Sequence, residues 1–247
     1  MLKGYPLRDY TWKDWLALIL SSAIVLQLVI LFGSTYLTNF NATTYEEALE
    51  MLTSISNHAV IYGSLISLPL TLLAIYWLKI PIFNRRQIPK SEWFIVPGMT
   101  RKDWSFLTKY IPITFFLYVT GNVIMDNIFG EMEVVNQEAI ESMFLDIPIW
   151  AMFLMVVIVA PITEEVLFRG LLLFRGSKLE PSWIRVIVSA ILFGLVHTPT
   201  NIPSAYTYIT MGLMFSYVSK HTKSIESAIV YHFLNNLFGF LSMLYFL

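Results

Sequence analysis

Residues 147–174 read IPIWAMFLMVVIVAPITEEVLFRGLLLF, and this apolar stretch decides the class of fold. About 20 apolar residues are enough for a helix to cross the ~30 Å hydrocarbon core of a bilayer. The only charged residues of the stretch are Glu164, Glu165 and Arg169. Six further apolar runs occur along the chain: Trp15–Leu37, His58–Leu78, Tyr110–Phe129, Trp183–His197, Pro203–Ser219 and Ile225–Leu247.

The composition is typical of a membrane protein. Of the 247 residues, 56% are hydrophobic and 13% are charged, whereas about a quarter of the residues of a soluble domain are charged. We predict an all-α, polytopic membrane helix bundle of about seven transmembrane helices, located in the cell membrane as a multi-pass protein. Residues 1–247 contain no internal repeat or linker, which predicts a single domain. The lipid bilayer is the expected partner, and no nucleic acid is expected.

The basic residues predict the orientation of the bundle. Fifteen of the sixteen Lys and Arg residues lie before Trp15, at 79–109, at 175–185 or at 220–223. The segments that alternate with these contain none. Because cytoplasmic loops of membrane proteins are enriched in Lys and Arg, this partition predicts seven spans with a cytoplasmic N-terminus and a non-cytoplasmic C-terminus.

The charged residues of the stretch 147–174, which is the fourth of the seven apolar runs along the chain, indicate a functional site. A charge at the centre of a bilayer costs ~2.5–3.5 kcal/mol on insertion scales. Glu165 and Arg169 are four residues apart, so they share a helix face and can form an ion pair. Glu164 lies ~100° away from that face and has no obvious partner on its own helix.

Two histidines and an asparagine lie at a similar depth in later runs. His197 ends the fifth run, while His232 and Asn236 share one face of the seventh because they are four residues apart. At a rise of ~1.5 Å per residue, these side chains and Glu164 lie ~11–21 Å from the cytoplasmic ends of their helices. We therefore expect them to meet near the middle of the membrane.

More than one kind of chemistry fits these groups. A carboxylate and an imidazole can activate a water molecule, and a second imidazole with an amide can donate hydrogen bonds to an oxyanion. Glu164, His197 and His232 could instead bind zinc, and their spacing does not separate the two possibilities. Purely structural polar contacts, or the proton relay of a transporter, are the other interpretations. The sequence contains no cysteine, which excludes thiolate chemistry.

Three motifs in the late runs resemble the signature of a known family. They are similar to the EExxxR, FxxxH and HxxxN motifs of the CPBP family, which includes the type II CAAX prenyl endopeptidases and the bacterial Abi-type membrane proteases. The matching segments are EEVLFR at Glu164–Arg169, FGLVH at Phe193–His197 and HFLNN at His232–Asn236. The resemblance covers about residues 148–247.

The resemblance implies a catalytic and a supporting set of residues. In the catalytic set, Glu164 and His197 activate the attacking water. His232 and Asn236 stabilise the oxyanion. The supporting set holds the site in place and consists of Glu165, Arg169 and Phe193. Family members are described both as metalloproteases and as metal-free glutamate proteases. We expect no cofactor, and no metal site is firmly predicted.

The sequence therefore predicts an intramembrane endopeptidase of the CPBP type with a catalytic core at about 148–247. It would cleave a peptide or a membrane-protein substrate near a cytoplasmic-facing cavity. The chain has one apolar run fewer than the prenyl-processing members, which argues against a CAAX substrate. The alternative is a non-catalytic membrane scaffold or a bacteriocin self-immunity factor with the same fold.

Overall fold

The computed structural model describes residues 8–37, 43–130, 143, 147–174 and 179–246. In these residues the regular structure is helical, and they contain no strand, which confirms the predicted all-α class. The main helices are α1 (Trp12–Leu20), α2 (Ala23–Leu37), α3 (Tyr45–Leu78), α4 (Arg101–Phe129), α5 (Ile149–Phe174), α6 (Trp183–Val196), α7 (Ile202–Thr222) and α8 (Ile225–Phe246).

The lengths and hydropathies of the helices agree with a multi-pass membrane protein. Helices α3, α4, α5 and α8 are each long and apolar enough to cross a bilayer, and the pair α1 and α2 forms a fifth span if its 48° bend is counted within one crossing. Helix α6 has only 14 residues, and α7 is long enough but less apolar. The count of seven spans is therefore unconfirmed, although each predicted run does correspond to helical structure.

The first predicted span differs from the prediction because it is broken. The helix ends at Leu20 and resumes at Ala23, with the break at Ser21 and Ser22. A break frees backbone carbonyl groups that need partners inside a membrane. The hydroxyl group of Thr71 on α3 supplies one, since it donates to the carbonyl oxygen of Ser21 at 3.0 Å. A contact from another helix therefore stabilises the bend.

Helices α3 and α4 begin well before the apolar runs that predicted them. Helix α3 starts at Tyr45, where the hydroxyl oxygen of Thr44 accepts a hydrogen bond from the amide of Glu47 at 3.2 Å. Helix α4 starts after Thr100, whose amide donates to the carboxylate of Asp103 at 2.6 Å. Hydropathy locates the part of a helix that is in lipid, whereas these caps determine where the helix begins.

The predicted cytoplasmic segments meet in one layer, which we call the basic end layer and define as residues 8–14, 78–103, 179–185 and 220–226. Arg8 donates to the carbonyl oxygen of Leu78 at 2.9 Å. Four other contacts tie the layer together: Arg86 with Asp103, Lys220 with Pro181, Lys223 with Glu180, and Glu226 with Asn84. The segments of like charge therefore lie on one side, as predicted. Residues 1–7 and 175–178, which contribute to the same prediction, lie outside the described residues.

Helices α6 and α7 pack closely through two glycines. A Cβ atom on Gly212 would lie 2.7 Å from the carbonyl oxygen of Ala190, and one on Gly194 would lie 2.5 Å from the side chain of Ile209. Both distances are too short for a real contact, so only glycine permits this separation of the helices. The close packing places one face of α7 directly against the polar residues of α5, α6 and α8.

Candidate active site

The buried ion pair of α5 is the structural centre of the site. Arg169 Nη1 lies 2.9 Å from Glu165 Oε1, and neither side chain is exposed. Arg169 Nη2 also donates to the carbonyl oxygen of Gly212 at 2.9 Å, and the guanidinium lies 4.7 Å from the ring centroid of Phe193. A fully buried charge is tolerated only with partners of this kind. The i,i+4 pair that the sequence predicts is present.

His232 shares the carboxylate of this ion pair. Its Nδ1 atom lies 2.9 Å from Glu165 Oε1, and its ring is stacked on Phe215 at a centroid distance of 4.4 Å. A carboxylate can only accept, so Nδ1 carries the hydrogen and Nε2 is left to face the rest of the site. The sequence predicts no contact between Glu165 and His232. The structure shows that Glu165 sets the orientation of this imidazole.

His197 is held by the end of its own helix. Its Nδ1 atom donates to the carbonyl oxygen of Phe193 at 2.8 Å. That carbonyl is one of the last in α6, where the helix itself supplies no amide partner. The imidazole is also stacked on Tyr208 at a centroid distance of 4.5 Å. The four-residue spacing of the FxxxH motif thus lets the histidine cap the helix while its Nε2 atom stays free.

Glu164 lies between the two imidazoles. Its Oε2 atom is 3.9 Å from the Nε2 atom of His197 and 3.9 Å from the Nε2 atom of His232. The same oxygen is buried and has no hydrogen-bond partner among the described residues. The separation of ~100° from Glu165 is what turns Glu164 towards these rings. The three groups that the sequence places at one depth are therefore brought together.

Asn236 lies one turn after His232 on α8, and its side chain contacts the backbone of α5. Its Nδ2 atom donates to the carbonyl oxygen of Val156 at 2.9 Å, and its Oδ1 atom accepts from Asn235 Nδ2 at 3.3 Å. Val156 belongs to a π-helical segment of α5, Leu154–Val159. Such segments disrupt the regular pairing of backbone groups and often occur at functional sites. One hydrogen of the Asn236 amide is engaged by this carbonyl.

The comparisons with known proteins agree with this geometry. The family described as type II CAAX prenyl endopeptidase Rce1-like matches residues 146–238, a range that contains the ion pair, both imidazoles and Asn236. This part of the chain, residues 146–238, is similar to that family, and we call it the Rce1-like region. The match confirms the resemblance that the three motifs predicted.

Two curated proteins are similar to parts of this chain. The UPF0177 protein YbdI of Lactococcus lactis subsp. lactis (strain IL1403) is 29% identical over 101 residues, which cover 40% of this chain and 53% of that protein. The membrane-embedded CAAX protease MroQ of Staphylococcus aureus (strain USA300) is 26% identical over 190 residues, which cover 72% of each chain. No solved structure gives a significant match.

Sequence reasoning missed the contribution of α7 to the Rce1-like region. Tyr208 stacks on His197, Phe215 stacks on His232, and the carbonyl group of Gly212 binds Arg169. Tyr208 and Phe215 are seven residues apart, almost two full turns, so they lie on one helix face with Gly212 between them. An aromatic–glycine–aromatic pattern on the face of an apolar helix is the signal that could have identified these residues.

The zinc alternative can be tested against the positions of its donors. Zn–N and Zn–O bonds of ~2.0–2.2 Å place neighbouring tetrahedral ligands ~3.3–3.5 Å apart. Glu164 Oε2 lies 3.9 Å from each imidazole Nε2, and the described residues contain no group of three or more His, Asp or Glu side chains placed to hold a metal. The donor types suit zinc, but their arrangement does not fit it.

Proposed function

We propose that this chain is an intramembrane endopeptidase in which Glu164 activates water for attack on a peptide bond. The observation that carries the proposal is the convergence of Glu164 Oε2 with the free Nε2 atoms of His197 and His232. Residues 1–247 act as a single membrane domain with the catalytic core at about 148–247. The activity of the whole protein is part of this proposal, because the matched region covers about half of the first relative's length.

Glu164 and His197 form the water-activating pair. One water molecule placed ~2.8 Å from both Glu164 Oε2 and His197 Nε2 would bridge their 3.9 Å separation. The imidazole accepts a hydrogen bond from this water at Nε2, because Nδ1 donates to the carbonyl oxygen of Phe193. Glu164 takes the other hydrogen as the general base. The fixed ring of His197 thus aims the water at the substrate.

His232 and Asn236 form the oxyanion-binding pair. The charge of the Glu165 carboxylate is neutralised by Arg169. If His232 carries a second proton, its positive charge is therefore balanced by the carboxylate of Glu164. In that state His232 Nε2 is a donor directed into the site, where it can bind a developing oxyanion. Asn236 Nδ2 has a second hydrogen besides the one that it donates to Val156.

The reaction balances with these groups alone. Water gives a proton to Glu164, and the resulting hydroxide adds to the carbonyl carbon of the substrate. The negative charge that forms on the carbonyl oxygen is stabilised by the oxyanion-binding pair. Glu164 then gives its proton to the amide nitrogen, and the C–N bond breaks to release an amine and a carboxylic acid. The substrate class is a peptide or a membrane protein.

The test compares membranes that carry the natural chain with membranes that carry Glu164→Gln. Peptides with new termini, detected by mass spectrometry, should appear only with the natural chain, because the amide cannot accept a proton from water. Glu92→Gln is the control, since Glu92 is an exposed carboxylate in the basic end layer. Undiminished cleavage by a fully inserted Glu164→Gln variant would exclude the proposed role of Glu164.

The same assay separates the remaining alternatives. A metal chelator should leave cleavage unchanged, and a loss that added zinc restores would contradict the metal-free part of the proposal. If Glu164→Gln keeps whatever phenotype the gene confers, the chain acts as a non-catalytic scaffold or a self-immunity factor instead of a protease.

A further inference from the structure

Helix α6 is too short to cross the membrane that surrounds it. Its first residue, Trp183, lies at the basic end layer, where Lys220 covers the indole ring. From there to His197 the helix rises ~21 Å, which is ~9 Å less than the thickness of a ~30 Å hydrocarbon core. The connection to α7, residues 198–201, therefore starts inside the outer part of the membrane.

A connection at this depth needs an aqueous or protein environment. Non-helical backbone is tolerated inside the hydrocarbon core only where protein covers it or where it lines a water-filled cavity. Thr198 and Thr200 are exposed, not covered by the described parts of the protein. The connection, whose sequence is Thr-Pro-Thr-Asn, is therefore placed to line water next to His197.

The first turns of α7 have the composition of a helix that faces water on one side. Helix α7 has 21 residues, enough for a crossing, but it is not among the helices apolar enough to be candidate spans. The half that follows the connection contains the hydroxyl-bearing residues Ser204, Thr207 and Thr210. One of them, Thr207, donates a hydrogen bond to Asn122 Oδ1 on α4 at 2.7 Å. The wall above the connection is thus partly polar.

The opposite side of the site is closed by packed side chains. Phe168, Phe193, Phe215 and Tyr231 form one buried cluster that continues to Met99 in the basic end layer. Apart from Phe193, these aromatic residues lie within ~10 Å of the cytoplasmic ends of their helices. Close-packed clusters of this kind leave no passage for water or a polypeptide. The cluster separates the site from the basic end layer.

The exposure of the site residues follows the same direction. The side chains of Glu164 and His197 are 27% and 16% exposed, whereas those of His232 and Arg169 are 4% and 0% exposed. His197 lies deepest from the basic end layer, and His232 and Arg169 lie closer to it. The site is therefore open towards the connection and closed towards the basic end layer.

We infer that the site is reached from the non-cytoplasmic side, through a water-filled opening whose floor is the connection at residues 198–201. This inference differs from the sequence-based expectation of a cytoplasmic-facing cavity. As far as the substrate is concerned, the inference rests on the proposed function. The opening fits an extended segment of a membrane-anchored polypeptide whose scissile bond lies on the non-cytoplasmic side of the bilayer midplane. It does not fit the cytoplasmic C-terminus of a soluble protein.

The absence of cysteine from the natural chain makes the inference directly testable. Single-cysteine variants Thr198→Cys and Thr200→Cys are treated with a membrane-impermeant maleimide, in intact cells and in inverted membrane vesicles. The matched control is Leu195→Cys, which lies at a similar depth and is 55% exposed, but on the face of α6 opposite its buried residues. Ser91→Cys, in the basic end layer, marks the cytoplasmic side.

We expect both threonine positions to be labelled in intact cells. Leu195→Cys should not be labelled from either side, because a thiol in hydrocarbon does not form the reactive thiolate, and Ser91→Cys should be labelled only in inverted vesicles. Labelling of Thr198→Cys and Thr200→Cys only in inverted vesicles would overturn the inference. So would a lack of labelling in both preparations, or labelling of Ser91→Cys in intact cells.

The labelling result does not depend on proteolysis. Repeating it in the Glu164→Gln background should give the same pattern, because the opening is formed by backbone and by residues other than Glu164. The threonine positions could be labelled as expected while the natural chain and Glu164→Gln release the same peptides. That result would mean that the opening exists and that the protease proposal fails. Cleavage that depends on Glu164, without labelling of the threonine positions in intact cells, would mean that the chain is a protease and that the proposed opening is wrong.

Discussion

Helices α4 and α5 are both long and apolar enough to cross a bilayer, but they are packed very differently. In the most apolar 18-residue stretch of α5, half of the residues are buried inside the protein. In the corresponding stretch of α4, no residue is buried. Helix α5 carries Glu164, Glu165 and Arg169 into that enclosure, whereas most side chains in the middle of α4 face outwards. The difference separates a region that lipid alone can stabilise from one that depends on specific protein contacts.

The same contrast extends to the two ends of the chain. In the described part of the N-terminal region, polar contacts such as that of Thr71 with Ser21 join one pair of segments and satisfy single backbone groups. In the C-terminal region, one network joins α5, α7 and α8 through Glu165, Arg169 and His232, and the guanidinium of Arg169 also packs on Phe193 of α6. We therefore expect substitutions in the C-terminal region to have larger effects, on activity first and then on stability.

The largest effect is expected from a pair of histidines that differ only in their surroundings. His58 on α3 and His197 on α6 each place Nδ1 2.8 Å from the carbonyl oxygen four residues earlier. Only His197 also faces Glu164. His197→Gln should reduce cleavage by about 10²–10⁴-fold, the usual contribution of a general acid–base group, whereas His58→Gln should leave it unchanged. Equal losses in the peptide-release assay would mean that His197, like His58, acts only by binding a carbonyl group of its own helix.

The second effect concerns the stability of ion pairs in the two regions. Arg169→Met leaves the carboxylate of Glu165 buried without its cation, which should cost about 3–5 kcal/mol. Arg8→Met removes a pair with Asp14 in which the arginine side chain is 36% exposed, and should cost about 1 kcal/mol or less. Thermal unfolding in detergent measures both. Similar losses for the two variants would contradict the proposed difference between the regions.

A smaller effect is expected at two glycines of the C-terminal region. Gly212→Ala puts a Cβ atom 2.7 Å from the carbonyl oxygen of Ala190 and should cost about 1–3 kcal/mol by forcing α6 and α7 apart. Gly239 on α8 has no atom within 4 Å of an added Cβ, so Gly239→Ala should be neutral or stabilise by up to about 1 kcal/mol. If both variants unfold like the natural chain, the close approach of α6 and α7 is not needed for stability.

The smallest effect is expected on α4. Asn122→Leu removes the hydrogen bond from Thr207, and interhelical bonds of this type contribute about 0.6 kcal/mol in membranes. Cleavage should persist, because no proposed catalytic residue contacts this pair. Val123→Leu, on an exposed face of the same helix, serves as the control in the same unfolding measurement. If Asn122→Leu lost as much stability as Arg169→Met, α4 would depend on specific protein contacts in the same way as α5.

Part of this site could be predicted from the sequence because helical spacing is regular. The separation of four residues determined the Glu165–Arg169 pair, and the separation of one residue directed Glu164 elsewhere. The contact of His232 with Glu165, and that of Asn236 with Val156, depend on how helices distant in the chain pack together. No periodicity within one helix carries that information.

The sequence alone determined that this chain lies in a membrane and that a carboxylate and two imidazoles share one depth there, because hydropathy, charge placement and helical rise are properties of each segment by itself. The tertiary structure decided which imidazole nitrogen is free and which side of the site is closed. The Nδ1 atom of His232 binds Glu165 on another helix, and aromatic side chains from four helices fill one side of the site, so both depend on how the segments pack. For His197 the four-residue spacing to Phe193 places the partner of Nδ1 on its own helix.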